Sequence, residues 1–493
     1  MKGILLAFLF LIVPLELHAK IQKDFLIKLK PGVEISSLES FALDGGNLEV
    51  IADRWLKLEV PTSRAESQNA ESLMKQIQTL PEVDYVQPNY RLKLLEDYSV
   101  KNPRVRKIVQ DLIEGRVVKA LLPKPMLNGF FATFGDIDED PPLPQPNVPQ
   151  NSGIDPLIPN QWGMEASRAK DAWNMFKGSE KMIVAVIDTG VEYTHEDLIA
   201  NIWHNSKEIA GNHKDDDGNG YVDDMIGWDF VQNDNKPYDI AADMQQLILV
   251  GGNPGHGTHC AGNVGARGDN GVGISGVSPN VKIMPLRFIS EKGSGTTADA
   301  VKAINYAVKM GAKILSNSWG SEGEDPNENN KALKDAIKNA ETHDVLFVAA
   351  AGNGHNGVGY DNDLDPAPSV PASYRFPNIV SVAALDQNDE LATFSNYGTK
   401  SVHIGAPGVA IYSTTVGNHY SDKVIDSFIT VMWDGTSMAT PHVAGAAAMI
   451  WAMHPEFKYS DVKEKLLSSA DKIPSLQYKI ASEGKLNVLA ALQ

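Results

Sequence analysis

VIDTG around Asp188, GHGTHCAG around His256 and GTSMATPHVAG around Ser437 each set one reactive side chain among small residues. Together they hold the parts of nucleophilic acyl transfer. A carboxylate orients an imidazole, the imidazole takes a proton, and a hydroxyl attacks a carbonyl carbon. Taken singly, each segment suits a different chemistry. Asp188-Thr-Gly also begins a two-carboxylate site, but that needs a second acid sharing the proton, and no second Asp-Thr-Gly or Asp-Ser-Gly occurs. His259, one helical turn after His256, reads as half of a zinc pair, but the glutamate of H-E-x-x-H is absent. A G-x-S-x-G elbow would need glycine where Ala439 stands, with the acid and imidazole after the serine. The downstream Asp461 and His454 sit in no motif. The order Asp, His, Ser keeps the three segments as one set. Ser437 also opens a long apolar stretch, and a helix start there offers unpaired N–H groups to a developing oxyanion.

A second constellation is DDDGNGYVDD, Asp215 to Asp224. Asp215, Asp217, Asn219, the Tyr221 carbonyl and Asp223 fall on alternate positions around a Gly turn, the spacing of an EF-hand-type calcium loop. Ile226 stands where the closing glutamate belongs, so another acid must complete the shell, and Asp224 is the nearest.

The elements that must position these groups are legible as alternating runs. KMIVAVID, VKIMPLRF, AKILSNS, VLFVAAAG, IVSVAAL and VHIGAPG are short, apolar on both faces and bounded by Gly, Pro, Asn or Asp. They predict buried parallel strands. Ala298 to Met310 and Asn329 to His343 carry helical spacing between them. The fold class is therefore α/β: a three-layer domain with a parallel sheet covered by helices on both faces. Val443 to Met453 is apolar all round and predicts a central buried helix. Pro441, close before it, is expected in that helix's first turn. Upstream, DFLIKLK, WLKLEV and VDYVQPNYRLKL read as strands and Ala65 to Leu80 as a helix, giving a small α+β unit over 20–96. Residues 97–153 read as a connector, locally basic and then Pro-rich, and 154–493 as the main domain.

The chain has 493 residues, 43% hydrophobic and 22% charged, with a net charge of -18. That suits a globular protein of more than one unit and argues against nucleic acid as a partner. Lys2, the apolar run Ile4 to Val13 and Ala19 fit a secretory signal over 1–19, cleaved after Ala19. The run is about half the ~20 residues of a spanning helix, so no stable membrane anchor is expected. With Cys260 as the only cysteine, no internal disulfide can form.

The three segments and their chain order resemble those of the subtilases, the subtilisin-like peptidase S8 family. LPEVDYVQPNY resembles the inhibitory pro-domain (I9-type) that precedes their catalytic domain. The resemblance implies a secreted, monomeric serine endopeptidase made as a self-inhibited precursor and acting on proteins and peptides. His256 would be the general base, Asn353 an oxyanion donor, and Ser318, Trp319 and Gly320 an edge strand for substrate. Trp319, Ala351 and Gly352 would shape the pockets, and the acidic loop after Trp319 would favour basic substrates. A second calcium site is implied at Asp197 and Asn270 with the carbonyls of Val272 and Ile274, although one residue is inserted near Gly268. Cys260 matches the thiol-bearing branch, and His259 is expected to be a packed structural residue. Two rivals stand beside this reading: a calcium-dependent binding protein without turnover, and a narrow processing protease for basic sites.

Overall fold

The computed structural model describes residues 24–33, 46–60, 70–94, 153–238, 252–321, 329–355, 357–426 and 430–493. The signal segment, nearly all of the connector and residues 322–328 of the acidic loop lie outside these. The chain divides into two compact units that meet between Asn89 and Tyr90.

In the first unit an antiparallel sheet is built from β1 (Asp24–Leu29), β2 (Asn47–Ala52), β3 (Trp55–Glu59) and β4 (Val83–Pro88), in the order β2-β3-β1-β4. Phe25 and Ile27 of β1 face Leu58 and Leu56 of β3 in register. Helix α1 (Ala70–Gln78) adds Leu73 and Ile77, four residues apart on one face, to the same core. The sequence reading missed β2, whose pattern NLEVIA is half exposed and carries little apolar contrast.

The last expected strand of that unit goes elsewhere. β5 (Arg91–Leu94) belongs to the second unit, as the middle strand of a three-stranded sheet with two short strands described below. Alternation predicts a strand there; it cannot say which edge the strand will pair with.

The second unit is organised by a nine-stranded sheet. Its strands are β6 (Ile183–Asp188), β7 (Trp228–Asp229), β8 (Lys282–Arg287), β10 (Ile314–Asn317), β12 (Leu346–Ala350), β13 (Ile379–Leu385) and β14 (Ile404–Pro407), with two short C-terminal strands. From β14 inward the order is β14-β13-β12-β10-β6-β8-β7, all parallel. The small sheet around β5 uses β9 (Ser294–Thr296) and β11 (Trp319–Gly320). Helix α2 (His256–Gly265) packs with α5 (Thr436–Met453), and α3 (Thr297–Lys309) packs with α4 (Lys331–Thr342), giving a helix layer on each face. Thr296 caps α3 by accepting from Asp299 N at 3.2 Å, and Asn330 caps α4 by accepting from Leu333 N at 3.3 Å. Each such cap contributes about 1 kcal/mol.

α5 is buried continuously from Thr436 to Trp451, which explains its uniform apolar pattern. Its small residues let it lie directly on β10, β12, β13 and β14. Each fully buried Val, Leu or Ile of this core contributes about 1.5–3 kcal/mol. The sheet then delivers the site: β6, β10 and β12 are adjacent and parallel, so Asp188, Ser318 and Asn353 emerge at one carboxyl edge, where α/β sheets bind ligands. Among the described residues no helix is long and apolar enough to cross a membrane.

Candidate active site

Asp188 is the last residue of β6 and His256 the first of α2. The helix can start against the strand end because Gly257 has no side chain. A Cβ there would lie 2.2 Å from the Gly190 carbonyl oxygen and 3.1 Å from Asp188 Cβ. Thr189 ties the junction by donating from Oγ1 to the Pro254 carbonyl at 3.0 Å and accepting from Gly257 N at 3.0 Å. His256 Nδ1 then lies 2.7 Å from Asp188 Oδ1, with both side chains buried. Asp188 Oδ1 also accepts from Thr189 N at 2.7 Å, which leaves the carboxylate little freedom to turn. A proton on Nδ1, donated to this carboxylate, makes Nε2 the basic nitrogen.

Ser437 is the second residue of α5, and its Oγ donates to the Ser318 carbonyl at 3.1 Å. Pro441 is the sixth residue of the helix, not within the first turn as the sequence suggested. Lacking an N–H, it cannot bond the carbonyl four residues back, which is that of Ser437. That carbonyl instead accepts from Ser318 Oγ at 2.9 Å and from Cys260 Sγ at 3.5 Å. A hydroxyl and a thiol from two other segments thus hold the backbone that carries Ser437. Cys260 is fully buried, and burial pushes its thiol pKa up, so it stays a neutral, inert thiol.

Asn353 follows β12 through Gly352, whose φ of +110 and contact with Asn396 exclude a side chain. The Asn353 carbonyl oxygen accepts from Thr436 N at 2.9 Å and Thr436 Oγ1 at 2.7 Å. Two donors can face only the oxygen end of an amide, so the NH₂ end is fixed as the one directed away from Thr436. Thr436 Oγ1 also accepts from Gly352 N at 3.2 Å. No motif marks Thr436 for this role.

Trp319 and Gly320 form β11, directly after Ser318. Trp319 pairs with Leu94 and Gly320 with Lys93, both antiparallel. On the other side of β5, Thr296, Gly295 and Ser294 pair with Arg91, Leu92 and Lys93, an edge the sequence reading missed. The Trp319 ring is fully buried against Phe288 and Phe347, at 4.9 and 6.3 Å between centroids. Ala351 is buried in a core cluster with Ala383, Leu385 and Val402.

The 215–224 loop gathers a different set from the one its spacing suggested. Asp215 and Asp217 come together with Glu208, their oxygens within 4.8 Å of one another. Glu208 Oε1 accepts from Asp216 N and Asp217 N, each at 3.0 Å. Its Oε2 and Asp217 Oδ1 are buried without a hydrogen-bond partner. Burial raises the Glu208 pKa, and the Asp217 charge adds to this. Asn219 accepts from Tyr221 N at 2.7 Å and donates to Asp224 at 2.8 Å. Asp223 and Asp224 are not members of that cluster. Asp223, at a left-handed φ of +53, accepts from Asn212 N and His213 N. Asp224 accepts from Asn205, Asn219 and the Tyr306 hydroxyl, and burial pushes its pKa up to about 6. The carboxylate that completes the cluster therefore comes from Glu208, ahead of the loop.

Asp197, Asn270, Val272 and Ile274 do converge. Asp197 accepts from Asn270 Nδ2 and Ile274 N, each at 2.8 Å, and Asn270 Oδ1 accepts from Val272 N at 2.8 Å. Asp155, which the sequence reading missed, accepts from the backbone of Asp269, Asn270 and Gly271 beside them. Burial pushes Asp197 up to about 8, with Asp155 adding to the shift. Two carboxylates brought together out of water suit a hard cation with oxygen ligands.

His259 is structural. Its Nε2 lies 2.9 Å from the Ile411 carbonyl, its ring stacks on Trp433 at 4.2 Å, and burial lowers its pKa to about 3.

Residues 179–486 match the model of the Subtilase family, Peptidase_S8. The chain is similar to a thermophilic serine proteinase of Bacillus sp. (strain AK1), 35% identical over 313 residues, or 64% of this chain and 62% of that protein. It is also similar to thermitase of Thermoactinomyces vulgaris, 34% identical over 333 residues, or 68% of this chain and 96% of that protein. The match thus spans less than two thirds of the first relative and nearly all of the second. In fold it is similar to the crystal structure of fervidolysin from Fervidobacterium pennivorans, a keratinolytic enzyme related to subtilisin. The TM-score is 0.64 at 23% identity, covering 96% of this chain and 61% of that one.

Proposed function

Because the chain belongs to the subtilase family of serine endopeptidases, we propose that it is a secreted member made as a self-inhibited precursor, with Ser437, His256 and Asp188 as its triad. The observation that carries this reading is the 2.7 Å contact from His256 Nδ1 to Asp188 Oδ1 at the sheet edge where Ser437 opens α5. Ser437 Oγ attacks the peptide carbonyl carbon while His256 Nε2 takes its proton, and Asp188 holds the imidazolium that results. The Asn353 NH₂ and the Ser437 N–H stabilise the oxyanion, and donors fixed beforehand need no reorganisation at that moment. His256 then protonates the leaving amine, and water enters by the same steps to free the acid.

Self-inhibition is supported by β5, which takes both edges of the groove, and by the first unit's small α+β architecture. Lys2, the apolar run Ile4 to Val13 and Ala19, read as a secretory signal, support secretion. We assign calcium a structural role at two places. Glu208, Asp215, Asp217 and Asn219 would hold one ion, a fit supported by the two orphaned carboxylate oxygens. Asp155, Asp197, Asn270 and the backbone at Val272 and Ile274 would hold another. Calcium, when bound, would neutralise these carboxylates.

The test is hydrolysis of a denatured protein by the matured enzyme. Turnover that falls to background in Ser437→Ala supports the reading; turnover retained by that variant refutes it.

A further inference from the structure

Lys463 stands at the edge of the large sheet opposite the proposed triad. It is carried by helix α6 (Tyr459–Ser468) and reaches the starts of two strands. Ile379 opens β13, and His403 immediately precedes β14. These strands are parallel, so their starts form the amino edge, whereas Asp188, Ser318 and Asn353 lie at the carboxyl edge. Lys463 also lines an open cleft of about 540 Å³, a volume suited to a small ligand. Pro377, Tyr459, Leu467 and Ala481 give that cleft a mostly apolar wall.

The hydrogen bonds around Lys463 fix its protons. His403 Nδ1 accepts from Ser381 N at 2.9 Å, so it carries no hydrogen. Burial lowers the His403 pKa to about 3, with the Arg375 charge adding to this and Asp363 opposing it, so the imidazole is neutral. A neutral imidazole has one N–H, which here must be on Nε2. Nε2 lies 3.3 Å from Lys463 Nζ. Nζ also donates to the Ile379 carbonyl at 2.6 Å and the Pro377 carbonyl at 3.1 Å. An amine with two hydrogens and one lone pair satisfies two acceptors and one donor. An ammonium has three hydrogens and no lone pair, and would set one of them against the His403 N–H. Burial lowers the Lys463 pKa to about 8, and no charged group contributes to that shift. Two other charged groups line the cleft, Glu464 and Lys472, and Lys472 Nζ donates to the Ser482 carbonyl.

We propose that Lys463 is a nucleophilic neutral amine and that its cleft captures small apolar aldehydes as imines. The Nζ lone pair bonds to the aldehyde carbon while the carbonyl π pair moves to oxygen. A proton passes from nitrogen to that oxygen, giving a carbinolamine. The C–O bond then breaks, the hydroxyl leaves as water with the second nitrogen proton, and the C=N bond forms. Amine and aldehyde thus give imine and water, with no oxidant or reductant. The imine nitrogen keeps a lone pair that can accept from His403 Nε2–H. It keeps at most one hydrogen, so capture takes the donor from at least one of the Pro377 and Ile379 carbonyls and loosens α6 from the start of β13.

The test treats full-length Ser437→Ala with limiting propanal and cyanoborohydride, which traps imines as stable secondary amines, and maps them by peptide mass spectrometry. The exposed Lys181 is the comparator. A pKa near 8 leaves about 200-fold more free amine at pH 7 than an ordinary lysine near ~10.4 has. Lys463 should therefore be labelled at least about 10-fold faster than Lys181 at pH 7. That lead should shrink above pH 8, as ordinary lysines begin to lose their protons. His403→Phe keeps a ring but no N–H, and should reduce the lead about 2- to 12-fold, the worth of one neutral hydrogen bond. Labelling of Lys463 no faster than Lys181 at pH 7 overturns the proposal, and this arm decides even where His403→Phe does not fold. A lead undiminished in a folded His403→Phe overturns it too.

Discussion

Thr436→Val should weaken catalysis through Asn353. Thr436 supplies two donors to the Asn353 carbonyl oxygen, its own N–H at 2.9 Å and Oγ1 at 2.7 Å. Valine keeps the shape and the backbone donor but removes the hydroxyl. One neutral hydrogen bond contributes about 0.5–1.5 kcal/mol, so kcat should fall about 2- to 12-fold with KM little changed. Asn353→Ala removes the oxyanion donor itself and should cost about 10²–10³ in kcat. The valine also leaves the buried Gly352 N–H without Thr436 Oγ1, its acceptor at 3.2 Å. Urea unfolding in a Ser437→Ala background should therefore show a loss of about 1–3 kcal/mol. Thr436→Ser, which keeps the hydroxyl, should restore kcat. The deciding assay is a double-mutant cycle on kcat. If Thr436 acts through the amide, Thr436→Val should change kcat little once Asn353 is alanine. An equal loss in both backgrounds would refute the positioning role.

Three further outcomes are expected. Ser318→Ala leaves the Ser437 carbonyl with only the Cys260 thiol, so stability should fall by about 1–3 kcal/mol and kcat should fall with it; unchanged urea midpoint and kcat would contradict this. His259 and His442 are buried neutral, with burial lowering their pKa values to about 3 and about 4. The unfolded chain, with histidines near ~6.5, takes up protons first. The stability of the neutral rings is therefore complete above ~6.5 and is lost as pH falls toward 4, by about 1.4 kcal/mol per pH unit and per ring. Urea midpoints of Ser437→Ala at pH 7 and pH 5 measure this, and no change between them would contradict it. Calcium at about 100 times its Kd should stabilise the protein by about 2.7 kcal/mol, read as a rise in Tm over the chelated form. Glu208→Gln should reduce that gain and Asp224→Asn should largely keep it; the reverse would return the site to the set suggested by loop spacing.

The proposed triad was legible because each of its residues sits inside a contiguous motif, and chain order joined the three motifs. The parallel sheet was legible because strands buried on both faces leave no polar alternation. What escaped depended on contacts between distant segments. Glu208 and Asp155 are single acids outside any motif, placed only by their contacts with Asp216 and Asp217 and with Asp269 to Gly271. Asp223 has the right spacing, but its left-handed backbone turns the carboxylate toward Asn212 and His213. Thr436 reads as a helix-start residue until Asn353 is placed against it. β5 has a strand pattern that any free sheet edge could satisfy.

The account's central claim is that Ser437 is a nucleophile activated by His256. It is tested most directly by labelling the matured protein with a fluorophosphonate and mapping the adduct by peptide mass spectrometry. The account predicts one adduct, on Ser437, nearly lost in His256→Ala. An adduct on another residue, or full labelling of Ser437 without His256, would contradict it.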